Sequence, residues 1–203
     1  MIVVGLTGSI AMGKSTVAAM FAAEGAPVFD SDAAVHALYD GPGAQAVEAA
    51  FPGVLGDGAI DRGRLAQRVI GDRAALARLE GIVHPMVEQA RQAFLLRAAA
   101  QGRRLVVADV PLLFESGADR SVDVILVASA SEAVQRRRAL ARMGMTLARF
   151  DGIVARQTPD SEKRRKAHMI IDTNGAFDAT RAQVRGLLRC AAAMPGKKAG
   201  ANA

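Results

Sequence analysis

The most constraining feature of this 203-residue sequence is the segment Gly8-Ser9-Ile10-Ala11-Met12-Gly13-Lys14-Ser15. It matches the pattern G-x-x-x-x-G-K-[ST], whose backbone N–H groups surround a phosphate and whose lysine reaches the β- and γ-phosphates. The apolar run 2–6 precedes the segment and a helical pattern over 14–23 follows it, so the motif has the strand–loop–helix context that it requires. The sequence therefore predicts a nucleoside triphosphate site at Gly8, Ala11, Met12, Gly13, Lys14, Ser15 and Thr16, with the Ser15 hydroxyl on Mg²⁺.

Four further apolar runs indicate an α/β protein. They lie at 27–29, 105–108, 122–127 and 169–171, with helical patterns between them. Continuous rather than alternating apolarity favours strands that are covered on both faces, as in a parallel sheet. We therefore predict the α/β class, with a five-stranded, mostly parallel sheet flanked by helices. Ser129 and Glu132 have capping-box spacing, which predicts that a helix begins there.

A long interval between the second and third predicted strands indicates an inserted lobe. About 75 residues lie there, with mostly helical patterns and glycine- and proline-containing turns. We predict one domain whose sheet core takes up about 1–30, 103–135 and 167–192, with an inserted helical lobe over 31–102. The composition of the stretch 194–203 predicts a disordered tail.

The composition is typical of a cytoplasmic globular protein. With 51% apolar and 23% charged residues, the chain has the balance of a folded domain. The single cysteine, Cys190, excludes an internal disulfide framework and fits a reducing compartment. No apolar run reaches the roughly 18 residues that cross a bilayer, and the first run is too short for a signal peptide. We therefore expect a cytoplasmic protein without a membrane segment.

Positive charge is concentrated in one segment of the chain. The net charge is +6, but residues 136–166 contain ten Lys or Arg and three acids, so this segment carries +7 and the remainder −1. Such a segment could be a solvated helix face, a nucleic-acid surface or a clamp for phosphates. Stacking aromatic residues are scarce, since the chain has no Trp and the segment only Phe150. The position after the fourth strand favours a lid over 136–166 that closes on ATP and excludes water.

A phosphate loop alone does not identify a reaction. Small-molecule kinases, regulatory GTPases and motor or nucleic-acid ATPases all carry one. The chain lacks the Asn-Lys-x-Asp stretch with which GTPases usually recognise guanine. Its Arg-rich segment instead favours a kinase.

Carboxylates follow two of the predicted strands, at the strand ends where open α/β sheets bind ligands. Asp30 and Asp32 follow the second strand, where a carboxylate can orient an acceptor hydroxyl and take its proton. Alternatively, Asp30 caps the next helix, and both roles are compatible if Asp30 is the cap and Asp32 acts on the hydroxyl. Asp109 ends the third strand, where an acid could help to hold Mg²⁺ or be a capping or ion-paired residue. The apolar stretch 110–114, with Glu115 after it, either packs under the lobe or lines an acceptor pocket.

The dipeptide His84-Pro85 predicts the start of a helix, because proline is favoured in the first helical turn. His84 is then either a capping or packing residue or a contact to the acceptor. No cluster of His and Cys has the spacing of a zinc site.

In this order, these segments resemble the dephospho-CoA kinase family over about residues 1–190. The stretch Pro111-Leu112-Leu113-Phe114-Glu115, joined to Asp30-Ser31-Asp32 and His84-Pro85, is more specific than the phosphate loop. The other matching residues are Val4-Gly5-Leu6-Thr7-Gly8, Asp109-Val110, Gln135, Arg138, Arg142, Gln157 and Ile171-Asp172-Thr173-Asn174-Gly175.

The resemblance implies a P-loop kinase core with a helical CoA-side lobe and a lid. It implies that ATP phosphorylates the ribose 3′-hydroxyl of dephospho-CoA to give CoA and ADP, the last step of CoA biosynthesis. Asp32 would orient or deprotonate that hydroxyl, and Lys14, Arg138 and Arg142 would stabilise the transferring phosphoryl group. The other implied contacts are Ser15 and Asp109 for Mg²⁺, Asn174 near adenine, and His84, Leu112, Phe114 and Glu115 on the acceptor side.

Alternatives are another nucleoside- or nucleotide-type kinase of the same core, and a nucleotide-gated module that binds nucleic acid. For a kinase of this family we expect no nucleic-acid partner, no membrane partner and no obligate protein partner.

The chain departs from the family pattern within the phosphate loop. The family usually has Gly-Ser or Gly-Cys where this chain has Ala11-Met12. Both N–H groups remain, so phosphate binding is expected to persist. The Cβ of Ala11 disfavours a positive φ, and Met12 would add bulk near the phosphates, so we expect a mild effect on rate and nucleotide affinity. Thr173 stands where the family often has Asn or Asp.

Overall fold

The apolar runs of the sequence form one five-stranded sheet. The computed structural model describes residues 1–193, and the predicted tail over 194–203 lies outside the described residues. The strands of this sheet are β1 (Ile2–Thr7), β2 (Val28–Asp30), β5 (Leu105–Asp109), β6 (Val124–Ser129) and β7 (Met169–Asp172); β3 (Leu55–Gly56) and β4 (Ala59–Ile60) form a separate hairpin. The strand that enters the phosphate loop, β1, is central in the order β2-β5-β1-β6-β7, and its pairings with β5 and β6, like that of β6 with β7, are parallel. The predicted sheet is therefore confirmed.

Both faces of the sheet are covered by apolar side chains. On one face, Leu126 of β6 belongs to a cluster with Val17 and Phe21 of α1 (Lys14–Ala23), which packs beside α9 (Phe177–Ala193). On the other face, Ile125 and Val127 cluster with the fully buried Leu113. Because successive side chains of a strand point to opposite faces, this arrangement requires the continuous apolar runs seen in the sequence.

The basic segment forms short helices, and their caps differ from the predicted one. Ser131 is the N-cap of α6 (Glu132–Leu140), where its hydroxyl accepts the N–H of Val134, so the predicted capping box of Ser129 and Glu132 is wrong. Ser129 instead ends β6, and its hydroxyl donates to Asp160 over 2.7 Å. Strand pairing with β7 extends through Ser129 and delays the helix. The helices are α6 (Glu132–Leu140), α7 (Leu147–Val154) and α8 (Asp160–Lys166), and a 3₁₀ turn spans Ala118–Ser121.

The described chain has two compact units: the first consists of residues 1–29 and 98–193, and the second of Asp30–Arg97. This second unit has a core of its own, in which Val47, Phe51 and Val54 are at most 4% exposed. The carboxylate of Glu48 accepts the N–H groups of Gly53 and Leu55, and the bond from Gly53 is the main cause that lowers its pKa. The helices here are α2 (Ser31–Tyr39), α3 (Ala44–Ala50), α4 (Arg62–Val69) and most of α5 (Arg73–Ala100).

Helix α5 shows that the predicted helix start at His84-Pro85 is wrong. The helix continues for 28 residues, from Arg73 to Ala100, with Pro85 inside it. Proline removes one backbone hydrogen bond, to the carbonyl of Gly81, which normally ends a helix. Here Leu79 and Val83, in the preceding turns, are buried in the core of the second unit, and this burial favours helix on the N-terminal side of Pro85. Within residues 1–193, no helix combines the length and the apolarity that a bilayer crossing requires.

Candidate active site

The phosphate loop joins β1 to α1 in a conformation that requires both of its motif glycines. A Cβ on Gly8 would lie 2.6 Å from the carbonyl oxygen of Ala128, and one on Gly13 would lie 3.1 Å from the Thr173 hydroxyl. Gly13 also has a φ of 86°. Ala11 has a φ of 61°, so its Cβ does not prevent the left-handed conformation, although that conformation costs about 1 kcal/mol.

Met12 is buried beneath the loop rather than extended from it. Its side chain is 2% exposed, and its Sδ accepts the N–H of Ala130 over 3.1 Å, at the end of β6. Its carbonyl accepts the Thr173 hydroxyl over 2.8 Å. The expected bulk near the phosphates is therefore not observed, because this side chain packs inward.

Lys14, the first residue of α1, forms an ion pair with Asp109, the last residue of β5. The Lys14 Nζ lies 2.5 Å from Asp109 Oδ1, and the two side chains are 15% and 5% exposed. Parallel pairing places Leu6 of β1 in register with Asp109 of β5, one residue before β1 ends. Strand register thus brings together two residues that are 95 positions apart, and the carboxylate orients the ammonium group at the base of the loop.

Arg138 is bound to the segment after β7. Its guanidinium donates to the hydroxyl of Thr173 over 3.2 Å and to its carbonyl over 2.6 Å. Thr173 is only 5% exposed and also holds the Met12 carbonyl. A chain of hydrogen bonds therefore runs from Arg138 through Thr173 to the phosphate loop.

Several residues that the sequence predicts to bind the nucleotide line a cavity of about 200 Å³. Arg138 and the exposed Arg142 border it together with loop residues, so the structure brings together predicted residues from two distant segments of the chain. Its other lining residues are Ala11, Gly13, Thr16, Thr173, Gly175, Phe177 and Thr180.

Asn174 stabilises the turn that borders this cavity. Its Oδ1 accepts the N–H of Ser131 over 2.8 Å, and its Nδ2 donates to Asp172 over 2.7 Å. Gly175, the next residue, lines the cavity. The predicted proximity of Asn174 to adenine stays a prediction.

The apolar loop after β5 divides its side chains between the core and the surface. Leu113 is fully buried, whereas Leu112 is 48% exposed. The Phe114 ring packs against the cluster of Leu113 and has the Lys166 ammonium 5.5 Å from its centre. Of the predicted acceptor residues on this loop, Leu112 therefore has the most accessible apolar surface.

Glu115 connects this loop to α8. Its carboxylate accepts the N–H of Thr158 over 2.8 Å and lies 3.0 Å from the Nζ of Lys163, whose side chain is fully buried. Partial burial by itself raises the pKa of Glu115, but the bonds from Thr158 and Lys163 together outweigh it and lower the pKa. Lys163 is therefore a structural cation and not part of an exposed basic face.

In the second unit, the two aspartates have different environments. Asp30 is the N-cap of α2, where its Oδ1 accepts the N–H of Ala33 over 2.9 Å. Asp32 lies in the first turn of the same helix and is exposed, and its side chain makes no hydrogen bond or ion pair with any described residue. His84 is exposed within α5. The alternative in which Asp30 caps the helix and leaves Asp32 available agrees with these contacts.

The cationic side chains of the basic segment, 136–166, differ in their exposure to solvent. Eight of its ten cationic side chains are exposed, but Arg138 is half-buried and Lys163 is buried. Some of the exposed ones face acids of the same segment, as in the pair Lys166–Glu162 at 2.7 Å. No group of three His, Cys, Asp or Glu among residues 1–193 could hold a metal ion.

A parallel sheet whose central strand enters a phosphate loop, with a lysine paired to the acid that ends the neighbouring strand, is the core of a P-loop nucleotide-binding protein, and the fold is shared with P-loop kinases. The family model of dephospho-CoA kinase matches residues 2–179. The chain belongs to the dephospho-CoA kinase family. It is a transferase of the final step of CoA biosynthesis, with ATP and dephospho-CoA as substrates.

Individual relatives agree with this assignment over nearly the whole chain. The dephospho-CoA kinase of Mesorhizobium japonicum is 54% identical over 188 residues, which cover 93% of this chain and 95% of the relative. That of Nitrobacter winogradskyi is 50% identical over 198 residues, covering 98% and 100%. A crystal structure of a Thermus thermophilus protein superimposes with a TM-score of 0.81 at 32% identity, covering 96% of this chain and 98% of that one.

Proposed function

We propose that the γ-phosphoryl group of ATP is transferred in line to the ribose 3′-hydroxyl, with the phosphate loop and the basic segment on the nucleotide and Asp32 on the acceptor. The hydroxyl oxygen forms the new P–O bond, the bond from the γ-phosphorus to the ADP oxygen breaks, and the hydroxyl proton passes to Asp32. The observation that carries this proposal is the Lys14–Asp109 pair at the base of the loop.

Three cations serve the transferring group. Lys14 lies at the loop itself, and Arg138 and Arg142 border the cavity that the loop lines. Positive groups that are held in place stabilise the charge that develops in the transition state most strongly, because they need no reorganisation when the reaction occurs. The bonds from Arg138 to Thr173 give it such a fixed position, whereas the exposed Arg142 is free to close onto the nucleotide.

Magnesium fits the oxygen donors at this site. Mg²⁺ takes few ligands from proteins and completes its shell with water and substrate phosphates. The Ser15 hydroxyl and the Asp109 carboxylate are hard oxygen donors of the required kind and would hold the ion. When bound, the ion neutralises charge on the β- and γ-phosphates.

Asp32 is the acid that fits the acceptor hydroxyl. Its neighbour Asp30 is committed to the helix cap, while the Asp32 carboxylate has no partner among the described residues. We also assign His84 of α5 to the acceptor, together with Leu112 and Phe114 of the loop after β5, and Glu115 acts by holding that loop to α8. The lid over 136–166, a cytoplasmic location and the absence of a nucleic-acid partner belong to the same proposal.

The test is identification of the product after incubation with dephospho-CoA and Mg-ATP. Release of ADP is measured in parallel with adenosine, nucleoside monophosphates and shikimate as acceptors. We expect CoA as the product, and we expect dephospho-CoA to be the only one of these acceptors that is turned over. Turnover of another acceptor with none of dephospho-CoA would overturn the proposal, as would tight RNA or DNA binding that falls steeply with salt.

A further inference from the structure

The peptide groups of Ile10, at the tip of the phosphate loop, are held from both sides by glutamine side chains. The Ile10 N–H donates to Oε1 of Gln157 over 2.9 Å. The Ile10 carbonyl accepts from Nε2 of Gln135, also over 2.9 Å. Because a backbone N–H can only donate and a carbonyl can only accept, these contacts determine the orientation of both side-chain amides.

The two bonds restrain two successive peptide planes. The Ile10 N–H belongs to the plane that joins Ser9 to Ile10, and the Ile10 carbonyl belongs to the plane that joins Ile10 to Ala11. The φ of Ala11 is the rotation about the bond that follows this second plane. Gln135 therefore restrains the one alanine of the loop with a left-handed φ, 61°.

Such a restraint is needed because the loop conformation is unfavourable for its sequence. A left-handed alanine costs free energy, and strained residues persist where surrounding contacts over-determine them. Packing adds to the restraint, since Ala11 lies in a small cluster with Ala139 of α6 and Phe150 of α7. Gln135 itself is only 6% exposed, so its bond to the loop is well shielded from water.

We propose that Gln135 and Gln157 are positioning residues that hold the phosphate loop in its phosphate-binding conformation before the nucleotide arrives. Both are distant in sequence from Ile10, by 125 and 147 positions, and they lie on α6 and in the turn after α7. Gln157 lies within the proposed lid, 136–166, and Gln135 directly precedes it, so the phosphate loop and the lid segment are linked by these bonds. This inference deepens the proposed nucleotide site and rests on it.

The opposite polarity of the two bonds allows a matched test with one substitution, Gln→Glu, at both positions. In Gln157→Glu, a carboxylate oxygen still accepts the Ile10 N–H. In Gln135→Glu, the carboxylate has no proton to donate and faces the Ile10 carbonyl. The two variants carry the same charge change, so a difference in their ATP affinity that is not matched by a difference in melting temperature reports the hydrogen bond.

The affinity for Mg-ATP is measured by calorimetry without acceptor, and KM values are measured for both substrates. We expect Gln135→Glu to weaken ATP binding about tenfold, several times more than Gln157→Glu, with the KM for the acceptor unchanged. Gln101→Glu, in an exposed turn, is the control for charge and keeps the wild-type affinity. Lowering the pH is expected to narrow the gap between Gln135→Glu and wild type, because a protonated carboxyl regains a donor.

A second pair of variants keeps the test decisive if the buried Gln135→Glu fails to fold. Gln157→Leu has no acceptor and is expected to bind ATP about tenfold more weakly than wild type, with Gln157→Glu between the two. Equal losses in both Gln→Glu variants, or lower melting temperatures with unchanged ATP affinity, would overturn the inference. Product formation by the wild-type enzyme tests the proposed function separately.

Discussion

The phosphate-loop end of the sheet and the second unit, Asp30–Arg97, hold their predicted site residues in opposite ways. At the loop, Lys14 is paired with Asp109 and Arg138 is bound to Thr173. In the second unit, Asp32 and His84 are exposed, and the Asp32 side chain has no hydrogen bond or ion pair with a described residue. The contrast teaches that the protein itself preorganises the groups proposed for the nucleotide, whereas the groups proposed for the acceptor in the second unit are left exposed for a ligand to engage.

The largest effect is expected from Asp32→Asn, on the exposed side of this comparison. The amide keeps the shape of the carboxylate but cannot take the hydroxyl proton, so turnover is expected to fall by about 10²- to 10⁴-fold. ATP affinity and melting temperature are expected to stay at the wild-type values. Steady-state kinetics measure turnover, calorimetry with Mg-ATP measures the affinity, and thermal unfolding measures the melting temperature. The matched control is Asp40→Asn, at an exposed aspartate at the end of α2. Near-normal turnover would show that Asp32 is not the acid.

A pair of core variants separates the two regions by stability. Phe21, in α1 behind the phosphate loop, is 1% exposed, and Phe51, in the second unit, is 4% exposed. Each Phe→Ala change is expected to lower the free energy of unfolding by about 3–5 kcal/mol, because it leaves a cavity. Only Phe21→Ala is expected to weaken ATP binding as well, because α1 supports the loop. Equal ATP affinities, measured by calorimetry below the melting transitions, would show that the loop does not depend on the core beneath it.

Arg142→Ala examines a cation that the structure leaves exposed on the otherwise preorganised side. We expect turnover to fall on the order of 10²-fold, as for the loss of one transition-state donor. The melting temperature is expected to stay within about 1 °C of wild type, because an exposed residue contributes little to stability. Arg156→Ala, exposed in the same segment, is the control and is expected to retain activity. A large fall in melting temperature with intact turnover would contradict the proposed role.

The smallest effect concerns Glu115, whose bonds to Thr158 and Lys163 lower its pKa in the folded protein. A carboxyl with a lowered pKa stabilises the fold at a pH above its unfolded value, about 4.3, and loses that contribution as the pH falls through the folded value. Glu115→Gln is therefore expected to lower the free energy of unfolding by about 1–2 kcal/mol at pH 7. The difference from wild type is expected to shrink below about pH 4. Denaturant unfolding at several pH values measures it.

The control for this prediction is Glu80→Gln, an exposed carboxyl on α5. We expect it to change the unfolding free energy little at any pH. A constant difference between Glu115→Gln and wild type from pH 7 to pH 3 would show that the ion pair with Lys163 is not the source of the stabilisation.

Local sequence patterns predicted the strands and the loop but failed at two helix boundaries. The start expected at Pro85 is wrong because burial of Leu79 and Val83 continues α5 through the proline. The cap expected at Ser129 is wrong because pairing with β7 keeps that residue in β6. Both errors have one physical cause: contacts with residues far along the chain outweighed a local preference.

The candidate site shows the same division. The motif identified Lys14, and its strand-end position identified Asp109, but no local pattern assigned a role to Gln135, Gln157, Thr173 or Lys163. The only sequence signal was that Gln135 and Gln157 belong to the family pattern and that Thr173 lies in a segment that resembles it. The contacts of Gln135, Gln157 and Thr173 with the phosphate loop join residues more than a hundred positions apart. The ion pair of Lys163 with Glu115 joins residues 48 positions apart.

The sequence by itself determined the α/β class, the order of the elements, the phosphate loop and the family, because each of these is encoded in local pattern or in motif spacing. Only the tertiary structure decided that Met12 turns inward, that Ala11 adopts a left-handed conformation, and that two glutamines hold the loop tip. The physical reason is that packing and hydrogen bonding between distant segments select among conformations that a local sequence leaves close in free energy.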